Sequence, residues 1–154
     1  MSNTDIWLLS VANEAIVEVG KLLATFDLHA SWSPQVNSGN SFQARLSSEL
    51  DQGQAETLAS ELSKLCHAFE ISNESAESAL FLYFKGLGLK RVPLDTAGEP
   101  VIRIGRLNHL MEVSACSNAE LARLIRLETA TAWLDVLEPY RRSTTRVEMM
   151  PRAV

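Results

Sequence analysis

The spacing of apolar residues predicts three helices in the first part of the chain. Over about residues 5–26 the apolar positions recur three and four apart, and Asn3-Thr4-Asp5 offers residues that cap a helix N-terminus. The same spacing predicts a second helix over residues 54–69. A short apolar run predicts a third over residues 76–85, and the following Gly86-Leu87-Gly88 ends it.

Two hairpins are predicted between and after these helices. Within residues 29–50, apolar and polar residues alternate on both sides of the turn-forming Asn37-Ser38-Gly39-Asn40, which indicates an irregular hairpin. Residues 91–94 and 101–104 flank a second turn-rich link and predict another hairpin. Pro93 confines the first of these strands to a sheet edge or a strand end, because proline has no backbone N–H to donate.

The last predicted element is a long helix over residues 117–138. Ser117 opens it in a capping-box pattern, and Pro139 ends it. Its apolar residues change to a nearly opposite face close to Arg126. Two explanations stay open: one unbroken helix buried on both sides, or two helices with a break near Arg126.

Together these elements predict a single α+β domain over residues 1–140, with a small antiparallel sheet and packed helices. Residues 141–154 have no periodicity and are predicted to form a flexible basic tail. A length of 154 residues is enough for one buried core. A composition of 46% hydrophobic and 21% charged residues is that of a folded domain and excludes a disordered chain.

Charge is divided unevenly along the chain. The net charge is −5, but residues 1–102 carry six basic and thirteen acidic residues, whereas residues 103–154 carry eight arginines and six acidic residues. Such a split is sometimes found in nucleic-acid-binding proteins, although an excess of two positive charges is small. No apolar run is long enough to cross a bilayer, and the N-terminus lacks the basic region of a signal peptide, so a cytoplasmic location is expected.

Residues with catalytic or metal-binding chemistry do not form a motif. Cys66 and Cys116 lack the spacing of a zinc site or a disulfide framework, and both are expected to be small core residues. Cys66 and His67 are neighbours in sequence, so their side chains are expected to point to different sides of an element. Neither a metal nor a cofactor is therefore expected, and we expect a binding protein that is not an enzyme.

The region 76–137 resembles the second half of the type III secretion chaperones, including the Tir-chaperone-like family. The matching parts are the apolar run 76–84, the glycine turn 86–88, the predicted hairpin 92–104 and the long helix 117–137. The small size, the acidic balance and a strong first helix also resemble that family. The predicted helix over 54–69 departs from it, because the family tends to have another strand there.

The resemblance implies a homodimeric chaperone that needs no cofactor and holds an extended segment of a secreted effector protein. It also implies the secretion apparatus as a further partner. Such segments bind through main-chain pairing and side-chain pockets. The candidate residues for the effector-binding grooves are Trp32, Val36, Phe42 and Leu46. The candidates for the dimer interface are Phe81, Leu82 and Phe84. For both sets, the alternative is that the residues belong to the core of the domain.

A rival interpretation is a DNA-binding transcriptional regulator. Residues 118–138 resemble a helix-turn-helix if the chain breaks near Arg126. Two observations oppose it: Arg126 occupies the position where a turn glycine is usual, and the recognition helix would present acidic Asp135 to the phosphates. Nucleic acid is therefore a less favoured partner than protein.

Overall fold

A computed structural model describes residues 3–115 and 117–149, with residues 143–149 described by their helix alone. It confirms the α+β class: the described part of the chain forms a six-stranded antiparallel sheet and five α-helices. The strands are β1 (Asn3–Ala12), β2 (Ser33–Pro34), β3 (Ser41–Ser48), β4 (Ala68–Glu74), β5 (Ala79–Phe84) and β6 (Gly88–Pro93). The helices are α1 (Ile16–Ala24), α2 (Gln52–Leu62), α3 (Ile104–Val113), α4 (Asn118–Glu128) and α5 (Thr131–Met149).

The strand order is β2-β3-β1-β4-β5-β6, with β1 between β3 and β4. Both neighbours run antiparallel to β1, and α1 and α2 each connect strands that are not adjacent in the sheet. This is the strand order of the split β-α-β-β-α-β arrangement, extended on one side by β5 and β6. The two sheet edges are therefore formed by β2 with β3 on one side and by β6 on the other.

Apolar cores lie on both faces of this sheet. The first core lies under α1 and α2, and its buried members include Ile6, Leu8, Val11, Val19, Leu23, Leu58, Leu62, Phe69, Ile71 and Phe81. The second core lies under α5 and comprises Leu9, Ala68, Leu82, Val92, Ala130, Trp133 and Leu137. The central strands are covered by helices on each side, as in a three-layer arrangement.

The prediction of a single helix over residues 5–26 is wrong in its first half, which forms β1. A strand covered on both faces has apolar residues at nearly every position, so periodicity alone does not separate it from a helix. Ile6, Leu8 and Leu9 are all fully buried for this reason. A short 3-10 turn, Asn13–Ala15, then leads into α1, which forms the second half of the predicted helix.

A β-bulge in β1 distributes its side chains between the two cores. Leu9 is the extra residue, since the pairing register shifts at this point against both β3 and β4. Beyond it, Val11 points into the first core with Leu8, whereas Leu9 points into the second. The buried side chain of Gln35 donates a hydrogen bond from Nε2 to the carbonyl oxygen of Leu9 at 2.7 Å and a longer one to that of Tyr140 at 3.5 Å.

Two further predicted helices differ from the structure. The helix predicted over 54–69 begins at Gln52, capped by Asp51, but ends at Leu62, and Phe69 lies in β4. The helix predicted over 76–85 is β5, an apolar run whose residues alternate between the cores, with Phe81 in the first and Leu82 in the second. Both errors arise because short apolar runs fit either structure, and tertiary packing decides between them.

The predicted hairpins have different outcomes. Within residues 29–50, β2 and β3 pair as expected, although β2 has only two residues. The second hairpin is present only at its turn: Leu94 and Pro100 form an antiparallel bridge and the N–H of Val101 donates to the carbonyl of Pro93 at 3.0 Å. Residues 101–104 do not form the predicted strand, because α3 begins at Ile104, and β6 pairs along its length with β5. The turn after β6 is present, with Asp95 accepting hydrogen bonds from the backbone N–H groups of Ala97 and Glu99.

Gly86-Leu87-Gly88 is the tight turn between β5 and β6, where Gly86 and Gly88 have positive φ. It therefore does not end a helix.

Of the two explanations for residues 117–138, the structure shows the second, with two helices, α4 and α5. Ser117 caps α4 as predicted, accepting a hydrogen bond from the N–H of Glu120. The break is at Thr129 and Ala130, not at Arg126, and Ala130 has a left-handed φ of 58°. The following helix is not directed toward solvent, because Ala130 itself is buried in the second core and α5 packs on β1 and β5.

The expected end of the helix at Pro139 is also wrong, whereas the flexibility of residues 141–154 stays a prediction. α5 continues through Pro139 to Met149. A proline within a helix costs about 3 kcal/mol, so contacts on both sides of it must hold the helix. Leu137 is fully buried before it, and Arg141 forms an ion pair with Glu70 after it. Residues 150–154 of the predicted tail lie outside the described residues.

The hydrogen bond from Gln35 to the bulge can be tested by the substitution Gln35→Leu. Leucine has a similar size but cannot donate, so the buried carbonyl of Leu9 would lose its partner. We expect the free energy of unfolding to fall by about 1–3 kcal/mol, measured by urea denaturation. Gln52→Leu, at the partly exposed start of α2, is the matched control and should change it by less than about 0.5 kcal/mol. Equal effects of the two substitutions would contradict this role of Gln35.

Candidate functional site

The outer edge of β3, which faces β2, is only partly covered by another strand. β2 pairs only with Phe42 and Gln43, so in the described part of the chain no strand lies beside residues 44–48 on that side. The N–H of Gln35 donates to the carbonyl of Ser41 on this side at 3.0 Å. Backbone groups of alternate residues point the same way, so Ser47 also directs its N–H and C=O outward.

The four residues predicted to bind an effector lie around this edge, but they differ in exposure. Trp32 and Leu46 are half-buried and pack against the first core. Phe42 is half-buried and lies opposite Pro34; it points to the same face of the sheet as Leu46, four residues further along β3. Val36 is 67% exposed. The structure therefore brings the four residues to one margin of the sheet as partly exposed apolar side chains.

The three residues predicted to form a dimer interface differ in their burial. Phe81 and Leu82 are buried in the first and second cores, so they are not available to a second subunit in this form. Burial of these two follows from the position of β5 inside the sheet, between β4 and β6. Phe84 is half-buried beside the second core, where its ring contacts those of His67 and Tyr140.

A partly buried ion pair holds the later part of α5 against the sheet. Nε of Arg141 donates to Oε2 of Glu70 at 3.0 Å, and Nη2 lies 3.0 Å from Oε1 in an ion-pair contact without hydrogen-bond geometry. Arg141 also lies over the ring of Trp7, at 5.9 Å from its centroid. Burial raises the pKa of the Glu70 carboxyl above its ordinary value, and the positive charge of Arg141 opposes this shift only in part.

Cys66 and His67 point into different surroundings, as expected for neighbours in sequence. Cys66 is buried beside the first core, and burial raises the pKa of its thiol to about 12, which keeps it protonated. The His67 ring packs edge-on against Phe84 at 5.3 Å between centroids. Burial lowers the pKa of His67, and the positive charge of Lys85 lowers it further. Cys116 lies outside the described residues.

The sequence analysis missed Gln35 and the pair of Glu70 and Arg141, because each acts across a long sequence separation. Gln35 lies in a turn-rich region where polar residues are common, so no local pattern indicates that it is buried. The one available signal for Glu70 is its position within the apolar run 68–71, where a charged residue is unusual and suggests a buried partner.

The carboxylate, histidine and cysteine side chains within residues 3–115 and 117–142 include no group of three or more placed to hold a metal ion. Among the helices that the structure describes, none has the length and apolar character needed to cross a bilayer.

Residues 17–150 match the family described as "Protein of unknown function (DUF3145)". Because the match covers most of the chain, the protein belongs to this family. No curated protein and no solved structure matches the chain.

The lowered pKa of His67 predicts a pH dependence of stability. Folding disfavours the protonated imidazole, so the contribution of neutral His67 is complete above its ordinary pKa of 6.5 and is lost as the pH falls below that value. His67→Gln should therefore lose less stability than the parent between pH 7 and pH 5, measured by urea denaturation.

Glu70, with its raised pKa, acts in the opposite direction, because the folded state binds its proton more readily. Glu70 is unchanged in both proteins, so the difference between parent and variant isolates His67. Lys85→Gln should give a pH slope between those of the parent and of His67→Gln, since burial is the larger cause. Identical slopes for the parent and His67→Gln would contradict the interpretation.

Proposed function

We propose that this protein is a non-catalytic cytoplasmic binding protein that holds an extended segment of another protein along the outer edge of β3. The observation that carries the proposal is that β2 pairs with only two residues of β3. In the described part of the chain, the rest of this edge has no neighbouring strand on that side. An extended segment can add itself to such an edge as a further strand, with main-chain hydrogen bonds giving affinity.

Side chains next to the edge support an extended protein segment as the occupant. Trp32, Phe42 and Leu46 leave part of their apolar surface exposed on one face of the sheet, and Val36 extends the apolar margin beyond the end of β2. Alternate residues of an added strand point to that same face. An apolar residue at every second position of the segment would therefore contact this margin.

A secreted effector is the more specific client within this proposal, and its support is the resemblance to the type III secretion chaperones. The structure differs in the elements that carry that resemblance, since residues 76–84 contain a strand and the long helix is broken. Of the three residues predicted to form a dimer interface, Phe84 keeps part of its side chain exposed and remains a candidate for a dimer contact. The family match adds no information about clients.

The DNA-binding interpretation has less support. The break at Ala130 gives two consecutive helices, but Trp133 and Leu137 on the second helix are buried against the sheet. Nε1 of Trp133 also donates to the carbonyl of Gly88 at 2.9 Å. Because the apolar face of this helix packs on the sheet, Asp135 and Glu138 would face the phosphates of DNA, which is electrostatically unfavourable.

The proposal can be tested with Val36→Glu and a matched control, Val17→Glu. Val36 and Val17 are 67% and 65% exposed, so neither substitution should disturb the fold, but only Val36 lies beside the β3 edge. Phage selection of unstructured peptides supplies a probe, and fluorescence anisotropy measures its dissociation constant. Val36→Glu should raise the dissociation constant by about tenfold or more, and Val17→Glu by less than about twofold.

Ser47→Pro provides a second test that addresses the main chain. Proline removes the outward N–H while the hydrogen bonds of β3 to β1 remain, so we expect weaker peptide binding with an unchanged circular dichroism spectrum. Backbone amide shifts on β3 should accompany binding of the peptide. The proposal is wrong if Val36→Glu and Val17→Glu change the dissociation constant equally, or if the amide shifts lie on α3 and α4. It is also wrong if a second copy of the chain covers this edge in a dimer that Val36→Glu dissociates.

A further inference from the structure

A cleft rich in arginine lies at the opposite edge of the sheet from β3. It is lined by Arg91 from β6 and by Arg103 and Arg106 at the start of α3, over an apolar floor of Pro93, Val101 and Ile102. Its volume is about 140 Å³. Whole small-molecule ligands usually occupy pockets of about 300–1,000 Å³, so this cleft has the size for one chemical group.

The charges around the cleft do not balance. Glu128 is the acidic residue in its lining, and it accepts a hydrogen bond from Nε of Arg106 at 2.6 Å and lies 3.8 Å from Nζ of Lys90. In the described part of the chain, no acidic group lies within ion-pair distance of Arg91 or Arg103. Three arginines and one carboxylate therefore line the cleft, and the cleft attracts anions.

Glu128 has a positioning role in this arrangement. Its side chain is only 17% exposed, and its bond to Nε holds the Arg106 guanidinium at the cleft. The Nη groups, at the outer edge of the planar guanidinium, then remain available to a ligand. Arginine presents its N–H donors as a planar fork, which matches the spacing of two oxygens on a phosphate.

The start of α3 adds a smaller contribution of the same sign. Its N-cap residue, Arg103, forms no side-chain capping hydrogen bond, and its first turn contains no acidic residue. The positive end of the helix dipole is therefore not neutralised locally and favours an anion in the cleft. The arginine side chains, and not the helix end, supply most of the attraction.

We propose that this cleft binds a phosphate group, either as free phosphate or as the terminal group of a phosphomonoester. Arg91 and Arg103 contact the phosphate oxygens, and Arg106, oriented by Glu128, donates from its Nη groups. The apolar floor limits hydration of the bound group and strengthens these charged hydrogen bonds. The site is independent of the proposed binding at β3, because the two lie on opposite edges of the sheet.

The test is a titration of the full chain with inorganic phosphate, followed by backbone amide shifts at constant ionic strength set by chloride. We expect saturable shifts at Arg91 and at residues 103–106. Arg91→Ala and Arg103→Ala should each raise the dissociation constant by about tenfold or more. Arg123→Ala is the matched control, because Arg123 is an exposed arginine on α4 that pairs with Glu120, and it should leave the constant unchanged.

Two further arms identify the source and the chemistry of the ligand. Phosphoserine that binds more tightly than inorganic phosphate would indicate a phosphomonoester, and equal binding would indicate free phosphate; both support the site. Acetate that produces the same shifts with equal affinity would show a general carboxylate site and overturn the proposal. Shifts that fail to saturate, or that Arg123→Ala reduces as much as Arg103→Ala, would also overturn it.

Discussion

The burial of β1 on both faces is the constraint on which the rest of the structure depends. Ile6 and Leu8 enter one core and Leu9 enters the other, so this single strand requires a helical layer on each side of the sheet. α1 and α2 supply one layer and α5 supplies the other. The bulge at Leu9 allows Val11 to join the first core, but it leaves a carbonyl that the ladder cannot satisfy, and Gln35 supplies the missing donor.

The second layer combines apolar burial with polar contacts at defined positions. Trp133 and Leu137 anchor the beginning of α5 in the second core, and Arg141 reaches Glu70 beyond the proline. Because a buried carboxylate without its partner is costly, Glu70 makes the position of α5 specific even where the ion pair adds little net stability. Apolar contacts thus hold the helix on the sheet, and the polar contacts determine its position along the strands.

The same arrangement explains why the candidate sites lie at the two edges of the sheet. Helices occupy the faces, so exposed backbone and unbalanced charge remain at β3 and at β6. The β3 edge has backbone groups and apolar side chains, which suit a protein segment, whereas the cleft beside β6 has arginine side chains, which suit an anion. Different physical interactions would therefore govern the two sites, and each can be removed without the other.

The sequence by itself determined the features that depend on neighbours along the chain. These include the α+β class, the N-cap at Ser117, the turn at Asp95 and the pairing of β2 with β3, together with the apolar residues Trp32, Val36, Phe42 and Leu46 that lie beside that edge. Only the tertiary structure decided that β1 and β5 are strands, because an apolar run buried on both faces fits a helix equally well. It also decided that Phe81 and Leu82 are core residues, that the chain turns at Ala130 without a glycine, and that Arg141 meets Glu70, since contacts between distant residues have no local pattern.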